Sequence, residues 1–187
     1  MICRFVFSGA GGQGIITSAI ILAETAVYFD KLNAVQTQSY GPEARGGAAR
    51  ADVIVASDQI NFPKVMQPNI LVCLSQESYD KYNGVVRPGG MILLDSSLVR
   101  RKKNVAARQI EFPMNETVLG EFGTTMPLNI CMLGCMARLI DFITTDSLAE
   151  MVNQRFSGKA ADMNRKALDL GYALASKLFT EPPLQFH

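Results

Sequence analysis

Histidine occurs once in the 187 residues, as His187 at the very end, so acid–base catalysis by imidazole and histidine metal ligation are close to excluded. Cysteine is present but in no ligand pattern. Cys131 and Cys135 lie four apart and share a helix face, yet no C-x-x-C pair or Cys/His partner completes a zinc or iron–sulfur set. Cys3 and Cys73 fall inside apolar strand patterns, and all four read as buried thiols that behave as small hydrophobes. Net charge is missing too. A formal +1 gives no electrostatic case for nucleic acid or an anionic membrane, and the cluster Arg100-Arg101-Lys102-Lys103 reads as a solvated loop. No apolar run reaches the length of a membrane span, and Met1-Ile2-Cys3-Arg4 lacks the charged flank, apolar core and cleavage site of a signal peptide. The expectation is a cytoplasmic protein.

What is there is an ordinary globular composition, 48% hydrophobic and 19% charged, enough to bury a sizeable core. No repeat, linker or low-complexity segment divides it, so residues 1–187 are expected to form a single domain. The chain is organised around its first turn. The apolar run Phe5-Val6-Phe7 feeds Ser8-Gly9-Ala10-Gly11-Gly12-Gln13-Gly14 and then the apolar Ile15-Ile16, which reads as strand, tight loop and helix. Gly9, Gly11 and Gly14 fall on the G-x-G-x-x-G spacing. Such glycines permit positive φ, close backbone approach and tight helix–strand packing, and the N–H groups of the following helix turn suit a phosphate or carboxylate. The competing reading is a turn that packs tightly and binds nothing.

Further along, residues 2–8 read as a strand, 15–31 as a helix with Ile16, Ile20, Ala23 and Val27 on one face, and 32–38 as a second strand. A nicotinamide-binding fold would carry an acid at the end of that second strand for the ribose hydroxyls; Gln36-Thr37-Gln38-Ser39 stand there instead, which lowers an NAD assignment. Residues 39–47, Ser-Tyr-Gly-Pro-Glu-Ala-Arg-Gly-Gly, form the second unusual stretch. Tyr40, Arg45 and Gly46 belong to it, and a guanidinium presented by flexible backbone suits a carboxylate or phosphate, while a hydrated surface loop is the plainer alternative.

Continuous apolar runs at 51–56, 70–74 and 91–94 read as strands covered on both faces, with 105–112 a further candidate. Asp95 sits at the mouth of its strand, as a functional acid or a helix cap. Beyond Pro113 the chain reads as helical: 115–122 ended by Gly123, 128–143 buried all round, 148–156 capped from Thr145-Asp146-Ser147, and 163–179 capped by Asp162. The expected fold is α/β, a three-layer Rossmann-like sandwich with a mainly parallel sheet and a helical C-terminal part.

Taken together, Gly9-Ala10-Gly11-Gly12-Gln13-Gly14, the 39–47 stretch with Arg50-Ala51-Asp52-Val53, the Pro63 region, Leu94-Asp95-Ser96, Asn129 with Leu133-Gly134, and Asn164 through Ala167 to Gly171-Tyr172 make the chain resemble the gamma subunit of the 2-oxoacid:ferredoxin (acceptor) oxidoreductases, the pyruvate and 2-oxoglutarate enzymes. The resemblance covers nearly the whole chain. It implies a complex that oxidatively decarboxylates a 2-oxo acid to an acyl-coenzyme A and passes electrons to ferredoxin or flavodoxin. Alpha and beta partners, with or without a ferredoxin-like delta subunit, would carry thiamine diphosphate, magnesium and iron–sulfur clusters. This chain has no Gly-Asp-Gly thiamine-diphosphate motif and is expected to be silent alone, with no catalytic or metal-binding residue of its own. Its expected contact residues are Gly9, Gly11, Gly12, Gln13, Gly14, Tyr40, Arg45 and Gly46, facing partners or coenzyme A. The same subunit in an indolepyruvate oxidoreductase, and a free-standing nucleotide-binding oxidoreductase, are the alternatives.

Overall fold

The computed structural model describes residues 1–38 and 48–185. Among them, six strands form a single sheet in the order β2-β3-β1-β4-β5-β6, where β1 is Ile2–Gly9, β2 Asn33–Gln38, β3 Ala49–Ala56, β4 Ile70–Cys73, β5 Met91–Asp95 and β6 Arg108–Phe112. Strands β1, β4, β5 and β6 run parallel. β3 is inserted antiparallel between β1 and β2, with Phe5 opposite Val53 and Gln36 opposite Val53 on its other side. The sheet is therefore mainly parallel, as expected, with one reversed strand that a run buried on both faces does not announce.

Alternate side chains go to opposite layers. Cys3, Phe5 and Phe7 of β1 join the larger core, built with α1 (Ile15–Tyr28), α3 (Met114–Phe122), α4 (Leu128–Leu139), α5 (Thr145–Arg155) and α6 (Gly158–Leu178). Val6, Leu71, Cys73, Ile92 and Leu94 join a smaller one beneath α2 (Gln76–Tyr82) and its neighbouring loops. Burial on both faces is why these strands are continuous apolar runs. No helix among the described residues is long and apolar enough to cross a membrane.

Several boundaries differ from expectation for local reasons. α4 stops at Leu139 rather than 143, because Ile140 turns extended and bridges to Leu184. α5 is capped one residue earlier than expected: the Thr144 hydroxyl accepts from the Ser147 N–H at 3.0 Å. α6 begins at Gly158 after Ser157, which leaves Asp162 inside the helix rather than capping it. On α1 the face set by Ile16, Ile20, Ala23 and Val27 is only partly the one the core takes: Ala23 is buried along with Ile15, Ala19, Leu22 and Ala26, and Ile16 packs against that core, while Val27 is 44% exposed. The helix is apolar on both sides, so periodicity cannot choose between them, and the small Ala19 and Ala26 allow the closer approach to the sheet. Cys3, Cys73, Cys131 and Cys135 are all free and buried, as expected.

The α4–α6 seam explains two of the signature glycines. A Cβ on Gly134 would lie 2.1 Å from the Leu168 carbonyl oxygen, and one on Gly171 1.9 Å from that of Cys131. The helices touch backbone to backbone, and the Cys135 thiol donates to the Gly171 carbonyl at 3.2 Å. Arg50 and Asp52 are likewise structural. Arg50 Nε and Nη2 donate to the Asp52 carboxylate at 2.7 and 2.9 Å, Nη2 also donates to the Val65 carbonyl at 3.0 Å, and the guanidinium lies 5.3 Å from the Tyr82 ring centroid. One side chain thus joins β3, the loop before β4 and the end of α2.

Candidate functional site

β1 delivers Gly9 to the carboxyl end of the sheet, where open α/β folds gather ligands. The next residues turn sharply into α1, with φ +86° at Gly12 and +70° at Gly14, the left-handed region that suits glycine. The turn is held from inside by Gln13. Its Oε1 accepts from the Ala10 N–H at 2.7 Å and its Nε2 donates to the Leu74 carbonyl at 2.8 Å, tying the turn to the end of β4. A Cβ on Gly9 would lie 2.5 Å from Gln13 Oε1, so the space that glycine leaves is occupied by this amide. Gly14 is closed from the other side: a Cβ there would lie 2.6 Å from Asn129 Nδ2, which donates to the Gly14 carbonyl at 3.3 Å.

Gly11 and Gly12 are different. Both are exposed, and a Cβ on either would meet nothing within 4 Å among the described residues. Beside them α1 starts without a side-chain cap and without an acid in its first turn. The starts of α2 and α3 do not leave this opening. Ser75 caps α2 in a reciprocal capping box with Ser78, and Asp95 takes the first turn of α3, accepting from the Asn115 N–H at 2.6 Å while its other oxygen accepts from Ser97 N–H at 2.8 Å. Asp95 is fully buried, and desolvation pushes its carboxyl above the usual range despite these bonds. Of its two sequence readings, the cap is the one the geometry realises.

The arrangement presents uncapped backbone amides at the positive end of a helix dipole, which favour an anionic group. Three of the buried thiols among the described residues have raised pKa values. Desolvation pushes the Cys73 thiol up to about 12 and raises Cys3 and Cys135 as well, so these sulfurs stay protonated at neutral pH. Among the described residues, no three His, Cys, Asp or Glu side chains are grouped to hold a metal. Tyr40, Arg45 and Gly46 lie outside the described residues. The flanking Ala49 pairs with Gly9, and Gln38 pairs with Ala51, at the same end of the sheet as the glycine turn. The sequence signalled the glycines but not the Gln13 brace, since a polar residue inside a glycine motif reads as solvated; its reach to Leu74 depends on β4 lying beside β1.

The fold is a Rossmann-like domain with a mainly parallel sheet and a glycine turn at the carboxyl end of β1. More particularly, the chain belongs to the pyruvate ferredoxin/flavodoxin oxidoreductase family, whose model matches residues 4–174. It is 40% identical over 173 residues to the 2-oxoglutarate synthase subunit KorC of Methanocaldococcus jannaschii, covering 91% of this chain and 92% of that one. The gamma subunit of the keto/oxoacid ferredoxin oxidoreductase from Geobacter sulfurreducens superposes with a TM-score of 0.87 at 34% identity, over 95% of this chain and 98% of the other. The same fold recurs, at 22% identity and a TM-score of 0.85, in the 2-oxoglutarate:ferredoxin oxidoreductase of Magnetococcus marinus, whose structure holds 2-oxoglutarate, coenzyme A and succinyl-CoA; the match covers all of this chain and 33% of that one.

Proposed function

We propose that this chain is the gamma subunit of a cytoplasmic 2-oxoacid:ferredoxin oxidoreductase that acts on 2-oxoglutarate, with pyruvate as the second choice, and forms acyl-coenzyme A and carbon dioxide while electrons pass to ferredoxin or flavodoxin. Alpha and beta subunits, with or without a ferredoxin-like delta subunit, carry thiamine diphosphate, magnesium and the iron–sulfur clusters. Acting as one domain, the gamma chain contributes a preformed surface. Gly11 and Gly12 bring amides against a partner subunit or the phosphates of coenzyme A; Gly9, Gln13 and Gly14 hold the turn in shape; Tyr40, Arg45 and Gly46 add polar contacts to the same surface. The choice of 2-oxoglutarate rests on the name of the archaeal relative at 40% identity.

The observation that carries the surface role is the outward-facing, uncapped start of α1 beside Gly11 and Gly12. Anaerobic purification through a tag on this chain tests the whole reading. The expected result is co-purification of thiamine-diphosphate and iron–sulfur subunits and dye reduction that depends on both 2-oxoglutarate and coenzyme A. A lone chain carrying a bound nucleotide would replace this reading with a free-standing nucleotide-binding protein.

A further inference from the structure

At the opposite end of the sheet from the glycine turn, Arg4, Lys64 and Arg87 line one open trench of about 530 Å³ together with Phe62, Met66 and Pro88. Arg87 and Pro88 also line an adjoining recess of about 440 Å³ that runs on past Gly89 to Leu184. Among the described residues, no aspartate or glutamate lines either space. Elsewhere basic side chains find acids, as in Arg50–Asp52, Lys102–Asp80, Arg155–Glu24 and Arg165–Asp169. Arg4, Lys64 and Arg87 take part in no ion pair among the described residues. Three cations without an acidic partner among the described residues thus line one space in a chain whose net charge is only +1.

The adjoining recess is lined by Asn69, which is buried and held firmly: its side-chain oxygen accepts from the Arg4 N–H at 3.0 Å, its N–H donates to the Arg4 carbonyl at 2.8 Å, and its carbonyl accepts from the Met91 N–H at 2.8 Å. The Arg87 N–H donates to the Pro68 carbonyl at 3.1 Å. On the rim, Phe62 is 62% and Met66 71% exposed, large apolar side chains set beside charges. Flanking apolar anchors with a basic channel between them match an extended chain that carries carboxylates and a few apolar side chains.

We propose that this trench is a docking groove for an acidic, extended polypeptide segment of a partner subunit. Carboxylates of that segment meet Arg4, Lys64 and Arg87, and its apolar side chains cover Phe62 and Met66. A polypeptide fits better than a small nucleotide because the space is open and continues into the second recess, and because its cations sit on the surface rather than around an enclosed pocket. The inference rests on the gamma-subunit reading for the existence of a partner, but not on the glycine turn.

The test reconstitutes the complex from tagged chains and measures incorporation of this chain at rising NaCl, with a photo-crosslinking residue at Met66 in a parallel sample. For Lys64→Glu with Arg87→Glu, incorporation is expected to weaken by about tenfold or more with a flatter salt dependence. The isolated double variant should melt with the wild type, since both side chains are exposed. Lys159→Glu with Lys166→Glu on α6 serves as the charge control and should assemble normally. A crosslink to an acidic stretch of a partner supports the proposal. Assembly of the double variant at wild-type strength overturns it and leaves the gamma-subunit reading standing, whereas failure of the wild-type chain to assemble overturns both. Calorimetry with coenzyme A and with ATP provides the remaining arm: binding that Lys64→Glu with Arg87→Glu abolishes, in a complex that still forms, would make the trench a nucleotide site and overturn the docking role.

Discussion

The seam between α4 and α6 and the turn between β1 and α1 both depend on glycine, yet for opposite reasons. At Gly134 and Gly171 a side chain has nowhere to go, because the facing carbonyl oxygen lies within 2.1 Å of where its Cβ would be. At Gly11 no atom of the described residues stands in the way, and at Gly12 only the backbone does, through its φ of +86°. The first pair is required by the chain's own packing, so its loss is felt in the isolated subunit. The second pair meets no such limit from the described residues, so the two pairs divide by what fills the space beside them.

The comparison can be broken most severely at the seam. Gly171→Val pushes a side chain into the Cys131 carbonyl, and overpacking of this kind should cost roughly 3 kcal/mol or more. For a chain of this size that corresponds to a fall of roughly 10 °C in melting temperature by calorimetry, or to insoluble expression. Arg50→Ala comes next. It leaves Asp52, 16% exposed, without its partner and the Val65 carbonyl without its donor, for an expected loss of about 1–2 kcal/mol in urea denaturation.

Asp95 sharpens the contrast through pH. Its folded carboxyl titrates above the unfolded value because of burial, so the folded state holds a proton that the unfolded state has released. Its contribution is therefore most favourable at acid pH and declines as pH rises from the ordinary carboxylate range through the raised folded value. Asp95→Asn, which cannot release a proton, should remove that decline. The stability difference between wild type and variant, followed by urea denaturation from acid to neutral pH, should shrink as pH rises. The smallest expected effect on the isolated chain is that of Gly11→Ala, within about 0.5 kcal/mol of wild type, because the added methyl meets open space.

Much of this was legible in advance. Five of the six strands were placed within two residues. For β1, β4 and β5 burial on both faces writes a continuous apolar run, while β2 is a polar edge strand; β6, expected from 105, begins at Arg108, where its pairing with β5 starts. The direction of β3 was not legible, since the pattern of apolar residues along a strand reads the same either way. The buried side of α1 was hidden by having apolar residues on both faces, and the start of α6 by a plausible cap at Asp162 one turn inside it. For the site, the glycine spacing located the turn, but the division between plugged and open glycines required knowing that Gln13 reaches Leu74 and that Asn129 covers Gly14. The trench by Arg4, Lys64 and Arg87 has no sequence signature at all, because its cations come from β1 and two separate loops.

The most direct test of the account is Gly11→Val measured twice: by melting temperature of the isolated chain, and by the coenzyme A dependence of 2-oxoglutarate oxidation in the assembled complex. The account predicts an isolated variant that melts within a degree or two of wild type, since the free chain has space for the side chain, together with a raised KM for coenzyme A or defective assembly. A variant that assembles and turns over with unchanged coenzyme A dependence would contradict it.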